Sequence, residues 1–171
     1  MEFNIEKATQ EDAGLFAELI QRVWDEMEQK EWFVADAPDY TKEMLQEGRG
    51  MGYKAVEAKS GTTVGVFMVT FPGEAEDNLG NDLGMSLSER QKVAHMETAV
   101  VLNSYRGNRL QYRMMQEGEG DLRGRGYRYL MCTIHPENTF SLNNALKQGY
   151  QIIETKEKYG GYLRHILLKN I

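Results

Sequence analysis

Two hydrophobic periods run along this chain, and they divide it into strands and helices. Phe3, Ile5 and Lys7 alternate as a strand does, and Thr9 then precedes Leu15, Phe16, Leu19, Ile20 and Val23 at helical spacing. Thr9, three residues before Asp12, reads as the N-cap of that helix. Residues 25 to 38 hold Trp32 and Phe33 among acids without a clear period, and residues 39 to 46 read as a short helix stopped by Gly48. Residues 53 to 58 and 62 to 71 are rich in β-branched and aromatic residues, and Ser60-Gly61 between them predicts a tight antiparallel hairpin. The stretch from 72 to 92 turns acidic and glycine-containing, a long loop with a short helix around 87 to 91. A strand over 93 to 102, a helix to about Arg123, a strand over 127 to 134, a helix over 140 to 147 and strands over 151 to 157 and 162 to 168 complete the pattern. The order is βααββ followed by βαβαββ.

Length and charge narrow the classes. A chain of 171 residues with 41% hydrophobic content fits one globular domain, and its three scattered prolines mark no linker. A net charge of −6 argues against a nucleic-acid binder, because phosphate neutralisation needs a basic face. The single cysteine, Cys132, cannot form an intrachain disulfide, and no signal peptide or membrane span is evident. The expectation is a soluble cytoplasmic protein with no nucleic-acid or membrane partner; a homodimer is compatible with it.

The chemistry concentrates in residues 103 to 116, NSYRGNRLQYRMMQ. A strand leading into a glycine-containing turn and then a helix brings unsatisfied N–H groups and the positive helix end to one point, where an anion binds. Arg106 and Arg109 add charge. On the residues alone, a second reading stays open in which Gly107 shapes a turn and the arginines are solvated. No G-x-x-x-x-G-K-[ST] exists, and the glycines at 118 and 120 lack the third glycine of a dinucleotide fingerprint. Those two glycines predict a weak second half of the helix, at about 1 kcal/mol each relative to alanine.

The run from Val101 through Tyr105-Arg106-Gly107-Asn108-Arg109-Leu110-Gln111, then Gly126-Tyr127, and Asn138-x-x-Ser141 through Gly149-Tyr150, resembles the GNAT superfamily of N-acetyltransferases. Motif and spacing carry the resemblance over residues 93 to 150, and element order carries it elsewhere. It implies a fold of the α/β (α+β) class: a single GNAT-like domain over residues 1 to 171, with a mixed, mostly antiparallel sheet, splayed fourth and fifth strands and about four helices. It also implies acetyl-CoA as cosubstrate, its pantetheine arm entering between those two strands and pairing with backbone of Ala99, Val100 and Val101. The pyrophosphate would lie on Arg106, Gly107, Asn108, Arg109, Leu110, Gln111 and Tyr112, with Asn138 contributing from the next segment. The family loop usually has glycines where this chain has Arg109 and Gln111. Arg109 must then adopt a helical conformation that a β-carbon tolerates, with its guanidinium compensating as a phosphate donor, or coenzyme binding is weakened.

Acetyl transfer needs a neutral amine, and a lysine-like amine with pKa about 10.4 is protonated at pH 7 by roughly 4.6 kcal/mol. A base is required. Strand alternation puts Glu97 on the face that carries His95, Ala99 and Val101, making Glu97 the first candidate base and His95 the second; the competing reading is an exposed strand residue and a structural histidine. The family's usual proton-donating tyrosine is replaced by Ala145, and the glutamate of a peptide-modifying branch by Thr133; Tyr150 and Tyr112 are the remaining phenols to test. Cys132 reads as a packing residue, and the Cys132-x-x-His135 spacing alone is too few ligands to imply a metal.

Trp24, Trp32, Phe33 and Tyr40 stand beside Asp25, Glu26, Glu28, Glu31 and Asp36, which reads either as an acceptor wall for a cationic amine or as an apolar helix face with solvated acids. Three functions follow. The first is an N-acetyltransferase acting on a primary amine of a small molecule, amino acid or peptide, without a metal. The others are a catalytically degenerate acyl-CoA-binding or sensing domain and an interaction module that keeps only the fold.

Overall fold

A computed structural model describes residues 1–171. Seven strands form one sheet in the order β1-β2-β3-β4-β5-β7-β6. The chain packs as two compact units, the first comprising Met1–Glu28, Ala35–Thr70 and Met96–Asp121, the second Gln29–Val34, Phe71–His95 and Leu122–Ile171.

In the first unit, β1 (Phe3–Lys7) lies antiparallel to β2 (Gly50–Glu57), which pairs antiparallel with β3 (Thr63–Thr70). The Ser60-Gly61 turn forms as its residues require, with Gly61 at φ +72°. Helix α1 (Ala13–Glu26) follows a 3₁₀ turn at Gln10–Asp12, where the Thr9 N–H donates to Asp12 Oδ2 at 2.8 Å. Its periodic face buries Phe16, Leu19, Ile20 and Val23. Phe16 reaches the sheet because residue 52 is glycine: a β-carbon there would stand 2.6 Å from its ring. Helix α2 (Pro38–Gln46) begins on a proline, whose fixed φ suits a first turn.

Helix α4 (Leu110–Gly124) buries Leu110, Met114, Met115 and Leu122. Gly118 has a packing reason. A β-carbon there would lie 3.0 Å from Phe67 Cε1 and 3.3 Å from Tyr53 Cε2, rings that are themselves stacked with centroids 6.2 Å apart. Gly120 meets nothing within 4 Å.

The second unit holds the start of β4 (Val93–Val101), α3 (Leu87–Arg90), β5 (Tyr129–Ile134), α5 (Thr139–Lys147), β6 (Gln151–Lys158) and β7 (Tyr162–Asn170). β5 runs parallel to β4 only from Val93↔Tyr129 to His95↔Met131, so the divergence expected of the fourth and fifth strands begins there. β7 lies antiparallel to both β5 and β6. No helix is long and apolar enough to cross a membrane.

The acidic stretch 72–92 is more constrained than its sequence suggests. Asn78 donates through Nδ2 to the Gly73 carbonyl at 2.8 Å and the Arg90 carbonyl at 3.2 Å, closing the loop on itself. A 3₁₀ turn at Leu79–Leu83 buries Leu79 against Val93, Met131 and Ile166. The Leu79 N–H donates to His95 Nε2 at 3.0 Å, and Asp82 pairs with Lys156 and, at 2.8 Å, Lys158. Burial pushes the Asp82 carboxyl up, but the hydrogen bonds and charges of the two lysines outweigh it and hold it below the usual range. Ser86 and Glu89 close a reciprocal cap on α3, with Ser86 N–H donating to Glu89 Oε2 at 2.9 Å.

Two predictions follow from this packing. Gly120→Ala raises stability by about 1 kcal/mol through helix propensity. In Gly118→Ala that gain is overtaken by about 1–3 kcal/mol of crowding against Phe67 and Tyr53; urea unfolding of the two variants separates them, and equal stabilisation would contradict the packing role.

Burial depresses the His95 pKa from 6.5 to about 4. The unfolded chain therefore binds a proton that the folded chain refuses, and stability is full above pH 6.5 and falls as pH drops towards 4. The loss is on the order of 3 kcal/mol. His95→Gln should flatten the stability-against-pH slope over that window, as measured by urea midpoints.

Candidate active site

In the first unit, burial alternates along β4 from Glu97 onward: Thr98 and Val100 are buried, while Glu97, Ala99 and Val101 remain partly accessible. The strand's period thus presents the three residues together, as alternation requires. The Thr70 hydroxyl, at the end of β3, donates to Glu97 Oε2 at 2.7 Å and orients the carboxylate. Thr70 had no signal in the sequence, because cross-strand neighbours are set by register. Gly65 matters beside it: a β-carbon there would stand 3.0 Å from the Val100 carbonyl. β5 pairs with β4 only as far as His95, leaving backbone groups at Ala99, Val100 and Val101 without a β5 partner.

Beyond β4, Leu102 N–H donates to the Val64 carbonyl at 2.9 Å, and a 3₁₀ turn at Asn103–Tyr105 leads into Arg106 and Gly107. Gly107 has φ +84°, with open space where a β-carbon would stand. Asn108 Nδ2 closes the turn on the Tyr105 carbonyl at 2.9 Å. The first bond of α4 runs from Arg113 N–H to the Arg109 carbonyl at 3.0 Å. The N–H groups of Leu110, Gln111 and Tyr112 precede it and find no acceptor in the protein. With the exposed Arg106 and Arg109 at the positive helix end, these donors fit an anionic phosphate group.

Arg109 departs from expectation. It does not take an ordinary helical conformation but lies in the left-handed region at φ +57°. The reversal from the 3₁₀ turn into α4 takes place at this residue, which is why a glycine suits it and why arginine carries strain there. Its guanidinium lies 4.8 Å from the Tyr112 ring centre, packed on the first turn of the helix. Gln111 is different: it is inside the helix without positive φ, so its backbone makes no demand for glycine.

His95, Asn138 and the residues of β5 and α5 that the sequence singled out lie in the second unit. His95 is 7% exposed, and its Nε2 accepts from Leu79, so the side chain is committed to holding the 72–92 loop. Asn138 caps α5, its Oδ1 accepting from Ser141 N–H at 3.4 Å. Ala145 and Tyr150 are buried. Thr133 Oγ1 lies 3.0 Å from the Tyr159 hydroxyl, a partner invisible in sequence because it comes from the β6–β7 turn. Cys132 is buried and its thiol is pushed up to about 12, which makes it inert as a nucleophile. His135 stacks on Trp32. The residues form no group of three or more His, Cys, Asp or Glu side chains able to hold a metal ion.

Comparison with known proteins bears on the fold and the family. No curated protein matches the sequence. Among solved structures, Arabidopsis thaliana NAA60 in complex with acetyl-CoA superposes with a TM-score of 0.77 at 10% identity, over 99% of each chain. The NatC complex bound to Gag peptide and CoA gives 0.76 at 14% identity, over 100% of this chain and 99% of that one. A GNAT-family acetyltransferase from Streptococcus pneumoniae gives 0.73 at 16% identity, over 99% of each. These likenesses concern the fold. The model of the Acetyltransferase (GNAT) family matches residues 16–150, most of the chain, and it is to this family that the protein belongs.

Proposed function

We propose that this chain is an N-acetyltransferase that moves an acetyl group from acetyl-CoA to a primary amine of a small molecule, amino acid or peptide. The observation that carries the reading is the cradle at the start of α4, where three backbone donors without acceptors stand beside two arginines. The pyrophosphate would be held by Arg106 to Tyr112, and the pantetheine arm would pair with Ala99, Val100 and Val101 along β4. Structural relatives crystallised with acetyl-CoA or CoA support this assignment.

Bound acetyl-CoA supplies the activated acyl group. The protein's share is orientation and proton handling. Glu97 is the base, accepting the proton that the amine loses as its nitrogen bonds to the acyl carbon and the thiolate departs; the Thr70 hydroxyl donates to its Oε2. His95 is the weaker candidate, since its Nε2 is occupied and burial lowers its pKa to about 4. A leaving thiol of pKa about 8.5 needs little acid assistance, so the alanine at 145 does not prevent the reaction.

Glu97→Gln should lower kcat by at least about 100-fold, in the usual range for a lost general base, while coenzyme A binding is retained. Thr70→Val should cost less, about tenfold. Thiol release against a panel of amines, with calorimetry for binding, measures both; a Glu97→Gln rate within about twofold, roughly 0.4 kcal/mol, would remove Glu97 from the mechanism.

Arg109→Gly relieves about 1–2 kcal/mol of left-handed strain against up to about 1 kcal/mol of glycine entropy, so thermal stability holds or rises. Coenzyme A affinity should fall severalfold with the loss of the guanidinium. Tighter binding in the variant would show that the guanidinium obstructs the cradle.

A further inference from the structure

Arg164, on β7 in the second unit, is 3% exposed, yet it has no carboxylate partner. Its Nη2 donates to the Glu31 carbonyl at 2.7 Å and its Nη1 to the Leu163 carbonyl at 2.8 Å, while the guanidinium lies 5.4 Å from the centre of the Tyr162 ring. Two of five N–H donors are thereby used. Arginine is almost never fully buried unless paired, so the missing acid is itself informative. Burial pulls the Arg164 pKa below the usual arginine value; the charges that oppose this come only from Tyr159 and Tyr162, with no Asp or Glu among them.

The neighbouring groups are also donors. Trp32 follows Glu31 in the 3₁₀ turn Lys30–Trp32, and its indole Nε1–H is buried without an acceptor. The indole stacks on His135, with ring centroids 6.2 Å apart and 28° between planes. His135 Nδ1 accepts from Glu137 N–H at 3.1 Å, which leaves the proton of the neutral ring on Nε2. The carbonyl that Arg164 holds thus belongs to the residue before Trp32, whose ring stacks on His135.

We propose that Arg164, Trp32 and His135 form a receptor for an organic carboxylate. Its oxygens would accept from the guanidinium and from the indole N–H, with His135 packing beside them. One buried positive charge matches a monoanion and not a phosphate dianion, and a planar carboxylate fits the in-plane donors of arginine. An incoming carboxylate would replace the Glu31 carbonyl on Nη2. This site is distinct from the cradle at α4, and its ligand is read without coenzyme, so it does not depend on the acetyl-transfer reading.

The test is a titration of the intact protein, at constant ionic strength, with acetate against acetamide and with glycine against glycinamide. It follows the Trp32 indole N–H signal by NMR, identified by its disappearance in Trp32→Phe. A saturable shift with the two carboxylates alone, lost in Arg164→Gln, is the expected result. Equal shifts with the amides, no shift at all, or a tighter response to inorganic phosphate would overturn the proposal. If Arg164→Gln does not fold, Trp32→Phe serves instead: followed through the His135 ring signals, acetate affinity should fall at least threefold, and unchanged affinity would remove Trp32 from the site and overturn the receptor as drawn.

Discussion

The first N–H groups of α4 have no acceptor in the protein, and the approach of the helix to the β2–β3 hairpin fixes its position. Gly118 lets the helix backbone settle on the stacked rings of Tyr53 and Phe67, and the Tyr53 hydroxyl bonds Asp121 one turn later. At the other end Leu110 and Met114 are buried, so the first turn of α4 is anchored by apolar packing. Leu110, Gln111 and Tyr112 therefore keep their N–H groups available without the helix end fraying. The cradle depends on that seat as much as on the loop residues that form it.

The cost of the cradle is local strain. Arg109 is held at φ +57° because the chain must turn from the 3₁₀ segment into α4 at that residue, and the helix fixed behind it leaves no room to relax. A side chain retained in a conformation that favours glycine is consistent with a use for its charge at the helix mouth. Glu97 shows the same preference for rigid support: it sits on a central strand and is oriented by a threonine from the adjacent one. Both features place polar chemistry on regular elements whose positions are set by buried neighbours.

In the second unit, polar groups serve mainly as ties. His95 receives Leu79 N–H, Asp82 joins two lysines of β6, and Asn78 closes its own loop, so that an acidic stretch of weak hydrophobicity becomes ordered. His95 and Asp82 are satisfied by partners distant in sequence, Asn78 by carbonyls of its own loop. Arg164 stands apart from them because its hydrogen-bond acceptors are carbonyls alone.

Much of this was written in the sequence. Strand and helix periods located every strand and the longer helices to within a few residues, since one buried face per element is enough to impose period 2 or 3.6. The Arg106-Gly107 turn and the order of elements around it carry the resemblance to the family. Tertiary structure decided what local pattern cannot encode. Gly118 looked like a weakness of the helix and is a contact surface, because the rings it meets belong to other strands. The sequence predicts a helical Arg109, and it is left-handed, because the direction of chain entry into α4 is set by packing further along. Thr70, Tyr159 and Leu79 acquired their partners through strand register and loop closure, and nothing in the residues around them records which distant atom they will meet.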